Sequence, residues 1–340
     1  MAIVSNSVDI RGVAAEPIIE EILFQNNTIA KGLVTFEDDI KAETIFTEVS
    51  AEAQMQAFVS GIPTSDGSLN TWDTVVTPAK VMFYQEFDPE TLRFSRYKRS
   101  MAPGAWNNFS TEFERVVIGG QYAPQVSLSA ERNFWLGATA ATKAAIAALT
   151  PGGTNATIST EEQAMAAASL GAAAQFDGIL TKFLYNDSRA SGVAGLGERN
   201  RVVGTTIDSS NIKAEYDKIY KEIPSVVLQG MEKPLFYAPY SHKQLIATFN
   251  NNVANYKDAF LPMGDSYTFN GLEIVFVPIP ENVVISALKS HLFWCTDLVS
   301  DVSRLKLEKI AANREDMFLK SIMTETSHVA NQKFNVLYVG

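Results

Sequence analysis

The chain has 340 residues, 46% of them hydrophobic and 19% charged, an ordinary globular balance with enough apolar material for two compact lobes plus extended parts. Its formal net charge of -10 argues against a protein that grips nucleic acid through phosphate contacts, but not against one that merely encloses it. One cysteine, Cys295 between Trp294 and Thr296, excludes an intramolecular disulfide and reads as a buried small hydrophobe. The N-terminus lacks a basic region followed by a long apolar run, and no stretch reaches the roughly 18 apolar residues of a membrane span. The expectation is a chain that is cytosolic when made. Its four sequons, at Asn26, Asn108, Asn155 and Asn186, are then chance matches.

Taken in chain order, Pro17 to Phe24 places Ile18, Ile19, Ile22 and Leu23 on one helical face. Thr28 to Val49 shows no strong period. It reads either as an extended arm that another surface must order or as part of an N-terminal lobe. Residues 51–87 read as a long hairpin whose turn material is Gly61 to Asn70 and whose return limb runs from Trp72 to Phe87. On that limb Val81, Phe83 and Phe87 share one face, and Met82 and Tyr84 lie on the other. An isolated hairpin with aromatics on both faces is marginal in water, so it should lie against the same chain or a neighbour. Arg93, Arg96, Lys98 and Arg99, interleaved with Phe94 and Tyr97, form the one dense basic cluster. A solvated loop is the simpler account of it; a contact with nucleic acid or an acidic neighbour is the alternative.

Thr111 and Glu114 fit a capping box that opens a helix. After Gly119 and Gly120, Pro124 can start a second helix running to about Ala148, and the pair could form one long kinked helix. Residues 150–160 read as a linker. Thr160, Glu161 and Glu162 open an alanine-rich helix that leads into Phe176 to Asn186. Gly195 and Gly197 in the loop 188–200 mimic a dinucleotide fingerprint, but no strand precedes them and Asn200 replaces the third glycine. From Ser209 or Ser210 a helix carries Ile212, Tyr216, Ile219, Tyr220 and Ile223 on one face, with Asp217 and Lys221 four apart on the other and Pro224 at its end. There follow a strand at Pro234 to Pro239, a helix at Ser241 to Asn250, and a strand at Leu272 to Pro280 that is apolar on both faces and so should be central. Strands at His291 to Leu298, Ser303 to Lys309, Met317 to Met323 and Phe334 to Val339 complete an α+β chain with no internal repeat.

The chemistry-bearing residues form no recognisable site. His242, His291 and His328 are isolated, and none has metal-ligand spacing. Nucleophile elbows and Walker loops are absent. The adjacent acids at Glu20 and Glu21, Asp38 and Asp39, and Glu161 and Glu162 do not face each other on a helix or strand. No catalytic residue, cofactor or metal is expected.

The succession of these parts resembles the major capsid protein of tailed bacteriophages, the Hong Kong 97-type fold. WDTVVTPAKVMFYQEFDPETL, residues 72–92, is similar to the limb leaving that family's extended loop. Leu128 to Thr139 is similar to the end of its long helix, and Phe176 to Leu180 to the entry of its axial lobe. His291 to Lys309 resembles the Asn-Leu-Phe-x-Gly-Thr-Asp-Leu segment, with Trp294 and Cys295 at the x-Gly positions. The resemblance spans most of residues 50–340. It implies an N-terminal arm (1–50), an extended two-stranded loop and return limb (51–108), a long spine helix of a peripheral lobe (109–150), an axial lobe (151–300, with a possible insertion at 150–200) and terminal strands of the peripheral lobe (301–340). It also implies a non-enzymatic shell subunit of the virion, assembled in the host cytoplasm as hexamers and pentamers of an icosahedral head around double-stranded DNA. Portal, decoration and separate scaffold proteins would be its partners, since no long scaffold segment precedes the arm. Candidate inter-subunit contacts are Trp72, Phe83, Tyr84 and Phe87 with the basic cluster Arg93, Arg96, Lys98 and Arg99. Lys80 and Lys98 lie near the family's crosslinking lysine, but no matching asparagine or glutamate is found and no crosslink is assigned. An encapsulin-type nanocompartment shell, which shares the fold, and an α/β enzyme with a site built from distant residues are the competing readings.

Overall fold

The structure is a computed structural model. It describes residues 8–11, 26–38, 40, 42–53, 58, 60–62, 67–88, 122–151, 158–171, 175–185, 200–252, 259–297, 304–310 and 316–340. The expected helix at 17–24, the capping box at Thr111, the basic cluster at 93–99 and the loop glycines Gly195 and Gly197 lie outside these residues.

Two sheets organise the chain. A six-stranded sheet holds β1 (Val8–Arg11), β2 (Thr35–Glu37), β5 (Ala79–Phe87), β12 (Leu292–Thr296), β13 (Arg304–Lys309) and β14 (Met317–Val329). β14 is its spine. It pairs antiparallel with β5 along residues 317–325, with β13 along 317–322, and with β12 along 325–329. A seven-stranded sheet runs in the order β6 (Asn200–Val203), β15 (Val336–Val339), β11 (Val283–Ala287), β7 (Leu235–Pro239), β10 (Leu272–Val277), β9 (Ser266–Phe269) and β8 (Phe260–Met263). β10 is central and largely buried, as its two-sided apolar sequence requires. The strand 336–339 pairs between β6 and β11. All four of its residues are buried. An apolar run with no polar face is stable only inside a sheet covered on both sides, and the seven-stranded sheet supplies that.

Between the sheets lies a helical layer: α2 (Ala123–Leu136), α3 (Ala140–Ala148), α4 (Thr160–Ser169) and α5 (Ile179–Leu184). Its core is continuous with the inner faces of both sheets. Consecutive residues on a helix point about 100° apart, and α2 uses this to join the sheets. Phe134 stacks on Trp294 of β12 with ring centroids 4.2 Å apart, while Trp135 packs on Tyr237 of β7 at 5.4 Å. A second core on the far face of the seven-stranded sheet is covered by α6 (Ile212–Glu222) and α8 (Tyr240–Asn252). There Tyr216, Phe236, Phe260 and Phe269 meet in edge-on and tilted pairs. The short α7 (Ser225–Gln229) follows Pro224.

Four local expectations need correction. The helix expected from Pro124 to Ala148 is two helices: Gly137 is extended and pairs with Gly171, and Thr139 caps α3 through Thr142 N. The break is fixed by Asp177, which accepts from Thr139 N and Thr142 Oγ1 at 2.7 Å each. The alanine-rich helix starts under a capping box of Ser159 and Glu162 and ends at Ser169, where Leu170 turns extended to bring Gly171 to Gly137. Asp217 pairs with Lys213 at 2.8 Å rather than with Lys221. Residues 26–40 are not an arm waiting for a foreign surface. Around α1 (Asn27–Ala30), buried Thr28 bonds Glu131 through both its N–H and its hydroxyl, Trp135 Nε1 donates to Thr28 Oγ1, and Tyr237 Oη donates to the Leu33 carbonyl.

Because Phe134 joins the helical layer to β12 with no exposed surface, Phe134→Ala leaves a cavity in the shared core. It should lower stability by about 3–5 kcal/mol in urea unfolding.

Candidate assembly surface

The hairpin is formed by β3 (Thr44–Ala53) and β4 (Gly67–Val76), paired antiparallel over ten residue pairs from Thr44↔Val76 to Ala53↔Gly67. Ten extended residues span about 33 Å. The first limb thus begins inside the segment read as an arm, and the return limb divides at Thr77 and Pro78 into β4, which stays in the hairpin, and β5, which joins the six-stranded sheet.

Strand alternation gives the hairpin two unlike faces. One face carries Phe46, Glu48, Thr74 and Val76 near the root and is seated on the chain's own body. Phe46 stacks on His328 of β14 at 4.7 Å and meets Phe293 of β12 at 5.5 Å. The buried Glu48 carboxylate accepts from Asn331 N at 2.9 Å and lies 3.9 Å from His328 Nε2. The opposite face presents Ile45, Val49 and Val75, of which Ile45 is 60% and Val49 54% exposed. Ile45 lies directly across from Val75, and Val49 lies one pair of same-face positions further along, beyond the Thr47–Asp73 pair, which is joined by a 2.7 Å hydrogen bond. Phe58 and Ile62, toward the tip, are almost wholly exposed.

The residues expected from the sequence to make inter-subunit contacts divide sharply. Trp72 lies on β4 opposite Glu48. Phe83 and Phe87 are half-buried against the chain's own core beside buried Val81. Met82 and Tyr84 face outward, Tyr84 bonded to Glu86 at 2.7 Å and packed beside Phe318. Arg93, Arg96, Lys98 and Arg99 fall outside the described residues. The exposed Ile45 and Val49 were not singled out, since Thr28 to Val49 shows no clear period. The alternation is readable only once Thr44 is taken as the start of a strand.

Among the described residues the titratable groups form no centre. His242 accepts from Tyr216 Oη at Nδ1 and donates from Nε2 to the Glu281 carbonyl, and burial pushes it down to about 4. His291 faces Asn335 Oδ1, and burial lowers it as well. Among the described residues no group of His, Cys, Asp and Glu is disposed to hold a metal ion, and no helix is long and apolar enough to cross a membrane. Cys295 is fully buried on β12, and burial pushes its thiol up to about 12. It should therefore resist a thiol-alkylating reagent at pH 8 in the native protein and react fully in denaturant. Rapid native labelling, read by mass spectrometry, would contradict this burial.

No protein-family model matches the sequence, and no curated protein matches it. Solved structures do match. A chain of the satellite phage P4 procapsid that includes the size determination protein aligns with TM-score 0.55 at 12% identity, covering 95% of this chain and 90% of that one. The capsid of an empty GTA particle aligns with TM-score 0.51 at 9% identity, over 92% and 90% of the two chains. The capsid of the native GTA particle aligns with TM-score 0.50 at 8% identity, over 94% and 90%. At such low identity the likeness speaks for architecture, and it extends over nearly the whole length of each chain: the protein has the Hong Kong 97-type capsid fold.

Proposed function

We propose that this chain is a major capsid protein, the repeating structural subunit of an icosahedral tailed-phage head that encloses double-stranded DNA. The observation that carries this reading is the hairpin. It is a two-stranded ribbon about 33 Å long, seated at its root on its own body and carrying an uncovered apolar strip of Ile45, Val49 and Val75 on its outer face. A ribbon of this kind is marginal alone, and exposed apolar strips of this length are expected where a protein meets a partner. In a closed shell the partner is another copy, and the interfaces of such obligate assemblies bury large areas, often above roughly 2,000 Å². The fold shared with capsid chains supports the same reading. So does the net charge of -10, which suits a wall around DNA better than a protein that binds it tightly.

On this reading the subunit works without catalysis. Hexamers and pentamers form by burial of the hairpin strip against a neighbour, and the two sheets with their shared helical layer give each subunit the stiffness to hold its lattice angle. The seven-stranded sheet and its outer core would surround the local symmetry axis, and the six-stranded sheet with β14 would lie toward the periphery. Portal, scaffold and decoration proteins would be its partners in a virion assembled in the host cytoplasm.

The test is expression of the full chain followed by size-exclusion chromatography and negative-stain electron microscopy, with wild type beside the double substitution Ile45→Asp, Val49→Asp. Wild type should give rings of five and six or closed shells. The variant should remain unassembled while unfolding within about 0.5 kcal/mol of wild type per site, because both positions are exposed. A variant that assembles normally would remove the hairpin strip from the mechanism. A wild type that stays monomeric in every salt and crowding condition, with or without a co-expressed scaffold, would overturn the shell reading.

A further inference from the structure

Glu325 is wholly buried on β14, and among the described residues neither of its carboxyl oxygens has a hydrogen-bond partner. Its neighbours across the sheet are Thr296 of β12 and Ala79 of β5. Ala79 is the first residue of β5, separated from the hairpin's last residue, Val76, by Thr77 and Pro78. The acid therefore lies where the protruding hairpin rejoins the body. The hairpin root covers one face of this part of the sheet, through Phe46 and Glu48 against His328. Glu325 belongs to the other face, beneath the helices.

Among the described residues, none of the groups around Glu325 hydrogen-bonds to it. From β5 come Ala79 and Val81, both apolar. From β12 come Thr296, whose hydroxyl already donates to the Thr324 carbonyl, and Trp294, whose indole N–H has no acceptor. Along β14, Ser327 donates to the Asp177 carbonyl. From α5 comes Lys182, half-buried, its ammonium bonded to the Ser327 carbonyl and lowered by desolvation to about 8. Asp177 is held by Thr139 and Thr142, and Glu131 on α2 by Thr28. Asp297, just past β12, is buried, its N–H directed to the Thr324 carbonyl. An ionised carboxylate in such a place lacks both solvent and a bonded counter-charge, and burial pushes the Glu325 carboxyl up to about 8.

We propose that Glu325 is a proton latch at the root of the hairpin: with its proton it lets β5 close on β14, and on losing the proton it opens that seam and frees the hairpin to change its angle to the body. The seam at β5 is the one that yields, because Met82 and Tyr84 leave its outer face open to solvent. β12, by contrast, is held beneath Phe134 on one face and beside Phe46 on the other. The closed form binds the proton more tightly than the open form, in which the carboxyl returns to its ordinary value near 4.5. Closure is therefore strongest below about 4.5 and is lost as pH rises toward about 8. One proton is released per opening, so the open fraction rises about tenfold per pH unit across that window and levels off above it.

The measurement is hydrogen exchange of the purified full chain between pH 5 and pH 9, corrected for the intrinsic rate, in wild type and in Glu325→Gln. Protection of residues 79–87 should fall about tenfold per pH unit in wild type up to about pH 8, and should be flat in the variant, whose amide has the shape of the acid form and does not ionise. Equal slopes in the two proteins, or a flat wild type, would overturn the proposal. Should the variant fail to fold, infrared spectroscopy of wild type decides: a protonated-carboxyl band that persists at pH 7 and fades across pH 8 supports the latch, and its absence at pH 7 refutes it.

Discussion

From Met323 to Val329 every residue of β14 is buried, and the rest of the molecule is arranged to make that possible. A strand with no solvent face needs cover on both sides and partners on both edges. β12 and β13 lie end to end along one edge, and β5 runs along the other as far as Glu325. The helices cover one face through Phe134 against Trp294, and the hairpin root covers the second through Phe46 against His328. The hairpin is thus both a projection and a lid. Its inner face is committed to its own chain, while its outer face leaves Ile45 and Val49 exposed.

This double role explains how a two-stranded ribbon can point in a defined direction. Left alone, β3 and β4 would be marginal and would swing about Thr77 and Pro78. Glu48 prevents this by accepting the Asn331 N–H across 283 positions of sequence, and the Phe46–His328–Phe293 cluster adds apolar contact at the same place. The stiffness of the root is therefore set by a few buried groups, not by the ribbon itself. The Glu325 carboxyl lies beneath the same root, on the other side of one sheet.

Much of the architecture was legible in the sequence because it rests on local periodicity. The buried stripe of α6, the two-sided apolar β10 and the alternation of β5 were visible as patterns of period 3.6 or 2. What could not be seen is what depends on distant partners. Nothing local marks Thr28 as a hub, since its partners Glu131 and Trp135 lie more than a hundred residues away. Asp177, which holds the break between α2 and α3, resembles any loop aspartate until it is found beside Thr139 and Thr142. The outward strip of Ile45 and Val49 was hidden because Thr28 to Val49 mixes a short helix, a short strand and a hairpin limb, and a window across all three has no period. The succession of motifs that resembles capsid proteins led to the correct fold where no single motif could.

The placement of β15 has a consequence for the order of events during synthesis. Residues 336–339 lie between strands made of residues 200–203 and 283–287, so the seven-stranded sheet has a gap until residue 339 has left the ribosome. Its pairing is non-local, and contacts of that kind form late because the loop must be closed before any bond compensates for it. A nascent chain can therefore complete its hairpin at Val76 long before it has a finished body on which to mount it. The seat of the hairpin is late as well, since β12 and β14 lie far downstream of it in the sequence. The topology alone thus delays closure of the seven-stranded sheet until its strand at 336–339 is made.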